Sequence, residues 1–421
     1  MYSIQRHLAA TIEKRFSHNK AILVSGPRQT GKSTMCSYLF PKANHVNLDN
    51  VLVRSQATDD PNLFLKNNPP PLFFDEIQKC PSLLESIKGY MEDHPDEKSL
   101  FILTGSQKLR IMAGVSESLA GRVSINELQG LSLREIENVT FTKHFVPTQE
   151  YLEEREKNIK PYHDIWERIH RGSFPELYAD THKEWMDFYQ SYVSTYLERD
   201  VNELLKIGNY LTFAKFMVSV AARTGQILNY SNIASEVGVD IKTVQAWLSI
   251  LERSGLVYLL KPYSSSALFR ATKSPKLYFR DTGLACYLTR WLTTDTLKNG
   301  AMSGAMFETF VIDEILKSYS NEGTNFDFSV FFYQGKDKKK IKIGNIEESV
   351  EGEIDLIIEE NGILYPVEIK ETENPKATMA SEFDVLDKVP GKKRGIGVII
   401  CSYGKKLYLR ENLVALPLEY I

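Results

Sequence analysis

The stretch Gly26-Pro-Arg-Gln-Thr-Gly-Lys-Ser33 decides how this chain is read. It matches the phosphate-binding loop pattern G-x-x-x-x-G-K-[ST]. Its flanks are those the pattern requires: an apolar run, Ala21-Ile-Leu-Val24, that reads as a buried strand, and a segment from Thr34 to Phe40 that reads as a helix. Glycines at Gly26 and Gly31 let the backbone of the loop, through Pro27, Arg28, Gln29 and Thr30, curl so that its N–H groups face the β- and γ-phosphates. Lys32 adds a point charge, and the helix start through Thr34 adds the positive end of its dipole. The pattern therefore predicts ATP held by Gly26 to Thr34, with Ser33 on Mg²⁺.

A Walker B strand is predicted downstream. Pro69 to Pro71 stop the chain before Leu72-Phe-Phe-Asp-Glu76. Asp75 at the strand end suits Mg²⁺, and Glu76 suits a water that must lose a proton. Between the two motifs His45 to Asp49 reads as a strand. After them Ser82 to Met91 reads as a helix, Leu100 to Ser106 as a strand ending in hydroxyls, and Val123 to Leu128 as a fifth strand preceded by Gly121-Arg122. Alternating strands and helices predict a parallel sheet with nucleotide at the carboxyl ends of its strands. The hydroxyl-ending strand is similar to the sensor strand of AAA-type ATPases, which implies a polar contact to the γ-phosphate from Thr104 or Ser106. Ahead of the sheet, Ile4, Leu8, Ile12 and Phe16 are spaced as one face of a helix.

With 421 residues the chain exceeds one ordinary core, so more than one domain is expected. Hydrophobic residues make up 43% and charged residues 25%, the balance of a globular protein. Fifty-one basic against 54 acidic residues leave a formal charge of −3, so any nucleic-acid contact has to come from a local patch. The four cysteines lack metal-ligand spacing and read as reduced thiols. No signal-peptide core and no apolar run of about 18 residues is present, so a cytoplasmic protein without membrane contact is expected.

The expected organisation is an ATPase domain over 1–135, a helical linker over 136–210, a winged helix-turn-helix over 211–265 and an α/β domain over 266–421. In the third part Phe213 to Arg223, Tyr230 to Val239 and Lys242 to Gly255 read as helices, and Leu256 to Lys261 as a strand. Lys242, Thr243, Gln245 and Arg253 are its few candidate contacts to DNA, so a protein-packing role stands beside DNA binding. In the last part, Gly304 to Tyr319 reads as a helix carrying Glu308. Ser329 to Tyr333, Glu353 to Ile358, Leu364 to Lys370 and Gly397 to Cys401 read as strands. Side chains alternate along a strand, so Glu368 and Lys370 share a face that Asp355 on an adjoining strand can join, with Glu308 completing the group. Two carboxylates with a lysine suit a second divalent metal and phosphodiester cleavage; the same residues suit a buried salt bridge. The lysine-rich 336–342 reads as a hairpin tip or a phosphate-contacting patch.

Asp355 with Glu368-Ile-Lys370 resembles the PD-(D/E)xK nuclease signature, with Ile354 where proline is frequent. Taken together, Gly26 to Ser33, Phe74-Asp-Glu76, Leu103-Thr-Gly-Ser106, Leu119-Ala-Gly-Arg122, Gly172-Ser-Phe-Pro175, Tyr278 to Leu284 and Phe307-Glu308 through Lys370 resemble, in this order, a large prokaryotic family. Its members are AAA-type ATPases with a C-terminal domain of unknown function and nuclease-like fold; Ser173 stands where the family usually has glycine. The resemblance implies ATP hydrolysis with Glu76, Ser106 and Arg122 as catalytic residues. Arg122 would act as an arginine finger near the nucleotide or across a subunit edge, which implies a homo-oligomer; a surface salt bridge is its other reading. Two functions stand open. One is an ATPase driving a module that cleaves nucleic acid, DNA before RNA, through Glu308, Asp355, Glu368 and Lys370. The other is a nucleotide-switched interaction protein whose nuclease-like part only binds.

Overall fold

Alternating apolar residues build the first sheet from both sides. In strand β1 (Ala21–Ser25) Ile22 and Val24 face the helix Leu8–His18 and the helix Lys32–Leu39, while Ala21 and Leu23 face the helices Val51–Asp59, Pro61–Asn67 and Ser82–Asp93. The computed structural model describes residues 4–106, 119, 121–180, 182–196, 210–264, 273–343 and 346–421. Residues 197–209 of the expected linker, Ala120 of the Leu119–Arg122 motif and residue 265 at the expected end of the winged segment lie outside the described residues. Among the described residues, β1 joins β2 (Asn44–Asn47), β3 (Leu72–Asp75), β4 (Phe101–Gly105) and β5 (Val123–Glu127) in the order β2-β3-β4-β1-β5, every pairing parallel. This is the parallel α/β sheet expected. The order matters for the site, because β4 lies between the phosphate-loop strand and the Asp75 strand.

Three helices, Tyr210–Ala221, Tyr230–Val237 and Ile241–Arg253, accompany a three-stranded antiparallel sheet of β6 (Gln226–Ile227), which lies between the first two helices, and β7 (Val257–Leu260) and β8 (Lys276–Phe279), which follow the third; its order is β6-β8-β7. Asp240 caps the third helix and Gly238, in the left-handed region, ends the second. The boundary expected at 265/266 falls between β7 and β8, two strands of one hairpin. Alternation within Lys276-Leu-Tyr-Phe279 could not say which sheet this strand joins.

The C-terminal sheet is mixed. Strands β9 (Val330–Ile343), β10 (Ile346–Glu360) and β11 (Ile363–Lys370) run antiparallel in succession; β13 (Gly397–Cys401) and β15 (Leu413–Leu416) continue parallel to β11. The short β12 (Lys393–Arg394) pairs with β11 and β14 (Leu407–Arg410) with β15. One face of this sheet, including Leu356, Val367, Val398 and Val414, packs on the helix Ser303–Glu322 in a single core that continues through the three-helix region back to Leu133. The other face packs on Phe383 and Leu386. The four cysteines are buried and unbridged. Among the described residues no helix is long and apolar enough to cross a membrane.

Candidate functional site

The phosphate loop turns where its glycines allow it to. Gly26 has φ 142°, and a Cβ there would lie 2.0 Å from the Leu128 carbonyl oxygen, so no other residue fits. Gly31 (φ 87°) opens the helix that begins with Lys32. The Lys32 ammonium folds back onto the loop, donating to the carbonyls of Gly26 (3.0 Å) and Pro27 (2.7 Å). Burial pushes its pKa down to about 8 against the pull of Glu76 and Asp75, with the Arg28 charge adding to the fall. Gln29 and Thr34 are exposed, and Thr30 is buried with its hydroxyl on the Pro27 carbonyl at 2.9 Å.

At the end of β3 the two acids part company. Asp75 Oδ1 accepts from the Ser33 hydroxyl at 2.7 Å and from the Thr104 hydroxyl at the end of β4. Glu76 has φ 58° and ψ 50°, the left-handed region. Its N–H donates to Thr104 Oγ1 (3.4 Å), and its Oε2 accepts from Ser106 Oγ (3.2 Å) and from Gln78 Nε2. Thr104 therefore binds the Walker acids and Ser106 binds Glu76. The strand order explains this, since β4 brings its terminal hydroxyls between β1 and β3. Ser33 and Asp75 offer hard oxygen ligands that already meet, so the donor set fits Mg²⁺.

Arg122 is placed elsewhere. It precedes Val123, which pairs with Ala21 at the opening of β1, whereas the phosphate loop follows Ser25 at the other end. Four strand residues, about 13 Å, separate the two levels. Within the chain Arg122 thus lies away from the phosphate loop; it pairs with Glu92 at 2.8 Å, both half-exposed. Only action across a subunit edge remains for the finger role.

Sequence reasoning passed over Arg6 and Gln78. The buried Arg6 guanidinium donates to the carbonyls of Thr30 (2.7 Å) and Gln129 (2.7 Å) and pairs with Glu135 (3.0 Å), tying the phosphate loop to the exit of the sheet. It belongs to no motif, and nothing in its neighbours signals it. Gln78 had one signal, an amide side chain two residues after Glu76 in the next turn.

The C-terminal group does assemble. Asp355 and Glu368 neighbour each other across β10 and β11, beside the paired Leu356 and Val367. Lys370 lies 3.3 Å from Asp355 Oδ2 and 2.7 Å from Glu368 Oε1, and the Ile369 N–H donates to Asp355 at 2.8 Å. Glu308 joins from the helix Ser303–Glu322. A residue outside the expected set also enters: Lys276 of β8, with a side chain 5% exposed, contacts Glu308 (3.2 Å), Asp355 (3.9 Å) and Glu353. Tyr278, two residues on and so on the same face, donates to Glu308 at 2.6 Å. Burial and the Asp355 charge push Glu308 up to about 7 and Glu368 up to about 8. Burial works against the charges of Lys276 and Lys370, but the surrounding acids outweigh it and hold both well above the ordinary lysine value. Two ammonium groups fill the space between these carboxylates. Among the described residues no three acid, His or Cys side chains are arranged to hold a metal, so the group as it stands does not fit the second cation expected there.

The remaining motifs meet one another. Asp281 of Asp-Thr-Gly accepts from Ser173 N (2.6 Å), Ser173 Oγ (2.8 Å), Tyr189 OH (2.7 Å) and Leu284 N (2.7 Å), clasping Gly172-Ser-Phe-Pro175 to the helix Thr282–Thr289. Of the candidate DNA readers, Thr243 is engaged by Asp240 at 2.8 Å, while Lys242, Gln245 and Arg253 are exposed. Backbone pairing places the lysines of 336–342 in a hairpin, with Lys342 opposite Glu347 and Lys338 opposite Glu351.

Comparison with known proteins agrees with the N-terminal reading. Residues 18–137 match the family model described as AAA domain, residues 162–295 one described as a domain of unknown function (DUF8612), and residues 303–421 one described as a domain of unknown function (DUF4143). Uncharacterized proteins of Mycobacterium tuberculosis H37Rv and Mycobacterium bovis are each 24% identical over 421 residues, covering 99% of this chain and 84% of theirs. Among solved structures, a Walker-type ATPase of Pyrococcus abyssi is 13% identical, covers 68% of this chain and 96% of its own, and overlays with a TM-score of 0.41. AMPPCP-bound DnaA from Aquifex aeolicus is 13% identical over 58% and 85%, with a TM-score of 0.28.

Proposed function

We propose that this chain binds ATP at Gly26 to Thr34 and hydrolyses it. The observation that carries the reading is the convergence of Lys32, Ser33, Asp75 and Glu76 at the carboxyl ends of β1 and β3, with Thr104 and Ser106 between them. Lys32 exchanges its two carbonyl partners for phosphate oxygens, a stronger, charge-assisted contact. Ser33 and Asp75 would hold Mg²⁺, which supplies positive charge to the phosphates. Glu76 takes the proton of the attacking water. Because that contact matters in the transition state, Glu76→Gln is expected to keep ATP bound and lose turnover. Turnover equal to wild type in Glu76→Gln would remove Glu76 from this role, and unchanged ATP affinity in Lys32→Ala would remove the site.

For the C-terminal group the non-cleaving reading is favoured by one observation, the Lys276 ammonium seated among Glu308, Glu353 and Asp355. A cation supplied by the chain itself leaves a buried ion-pair junction between β8 and the mixed sheet. We read the C-terminal part as a binding scaffold, and the three helices with β6 to β8 as a winged helix whose third helix carries only Lys242 and Arg253 as cations, too few for a DNA-neutralising face. The turn after the third helix rests on the phosphate loop: a Cβ on Gly255 would lie 2.8 Å from Pro27 Cγ. Titration with Mn²⁺ and cleavage assays on several DNA and RNA forms test the scaffold. Mn²⁺-dependent cutting that is lost in Glu368→Ala would restore the nuclease reading.

A further inference from the structure

Glu76 is held in a conformation that a residue with a side chain adopts at a cost of about 1–3 kcal/mol, and it persists only where its surroundings over-determine it. Three donors do so. Thr104 takes the backbone N–H, and the carboxylate is gripped at one oxygen, Oε2, by Ser106 Oγ and Gln78 Nε2. Gln78 sits in the single turn Ile77–Lys79 and is 7% exposed. Its amide has one admissible orientation, because turning it over would set an oxygen against the Glu76 carboxylate. In that orientation Gln78 Oε1 is buried with no hydrogen-bond partner among the described residues. A buried acceptor left so costs about 1–3 kcal/mol, which an apolar side chain at this place in the turn would avoid.

We propose that Gln78 is a positioning residue for ATP hydrolysis, acting through Glu76. The inference rests on the ATPase reading above. By pinning Oε2 together with Ser106, Gln78 fixes the rotamer of the carboxylate and leaves Oε1 as the oxygen that takes the proton. In the step itself the water oxygen bonds to the γ-phosphorus and the bond from that phosphorus to the β,γ-bridging oxygen breaks. ADP leaves with the electron pair, and one water proton passes to Glu76 Oε1 and departs when inorganic phosphate is released. A glutamate free to rotate would meet the water in the right geometry for only a fraction of encounters.

The test uses the full chain and measures ATP affinity by calorimetry and phosphate release at saturating ATP for wild type, Glu76→Gln, Gln78→Leu, Gln78→Glu and the double variant Glu76→Gln/Gln78→Leu. Gln78→Glu keeps the shape and replaces the donor by an acceptor, so it reports even where Gln78→Leu fails to fold. Both Gln78 variants are expected to lower kcat by about 10- to 100-fold with ATP affinity within about twofold of wild type. In the Glu76→Gln background, Gln78→Leu is expected to cost nothing further, since the group it positions is gone. Wild-type kcat in both Gln78 variants would overturn the inference, as would a loss that repeats in full without Glu76 or that comes with an equal fall in ATP affinity. Those results arise with turnover intact in wild type and lost in Glu76→Gln. A wild type without turnover instead defeats the hydrolytic reading, and this inference with it.

Discussion

Replacing Lys276 by Met removes one ammonium from a group of six charged side chains and keeps the length and apolar stem that pack in β8. Above about pH 8 the group holds four carboxylates, Glu308, Glu353, Asp355 and Glu368, against the two lysines Lys276 and Lys370. Its net charge is then −2, and −3 in Lys276→Met. Near pH 6, Glu308 and Glu368, raised to about 7 and about 8, carry protons; the net charge is 0 in wild type and −1 in the variant. Both acids bind protons more tightly folded than unfolded, so their contribution to stability is full below the ordinary carboxylate range and is lost as pH rises through about 7 to 8. Removing one partner from a buried ion pair costs about 3–5 kcal/mol. That full cost is expected at about pH 8.5, and about half of it or less near pH 6, where protons replace the missing cation. Urea unfolding followed by tryptophan fluorescence at the two pH values measures it. A cost below about 1 kcal/mol at the higher pH, or the same cost at both, would refute the view that Lys276 neutralises these acids.

Lys32→Ala is expected to weaken ATP binding by about 10- to 100-fold, the worth of one or two charge-assisted hydrogen bonds. In wild type, with Lys32 near 8 before nucleotide arrives, ATP affinity should fall as pH rises past about 8 and calorimetric heats should depend on the buffer's own ionisation. Arg122→Ala breaks a half-exposed pair with Glu92 and should change stability by less than about 1 kcal/mol. If Arg122 acts across a subunit edge, turnover falls in that variant and depends on protein concentration in wild type; concentration-independent hydrolysis by a monomer rules the role out. Asp281→Ala leaves the Ser173 N–H and hydroxyl and the Leu284 N–H buried without the acceptor they share and should cost about 3–5 kcal/mol, with a lower melting temperature and ATP affinity unchanged.

Local sequence determined the nucleotide end of this protein. Gly26, Gly31, Lys32 and Ser33 act within one loop and helix start. Asp75 ends, and Glu76 follows, a strand whose apolar run is short and preceded by prolines, so both motifs were legible in the sequence. The period-two and period-four patterns likewise placed most strands and helices, because burial of one face is a local demand on composition. Tertiary structure alone decided what lies beside what. The strand order set Thr104 and Ser106 between the Walker elements, a matter of crossover connections that no spacing reveals, whereas the parallel direction of β5 put Arg122, which precedes it, at the opposite end of the sheet. Hairpin pairing of β7 with β8 carried Lys276 into the acids around Asp355, 79 residues on in sequence, and so filled with an ammonium the space that the Asp355, Glu368 and Lys370 pattern assigned to a metal. Arg6 reaches Thr30 and Glu135 from a segment with no motif at all. A motif is legible when its chemistry is carried by neighbours along the backbone; a charge that arrives from another element is set by packing and can be read only from the fold.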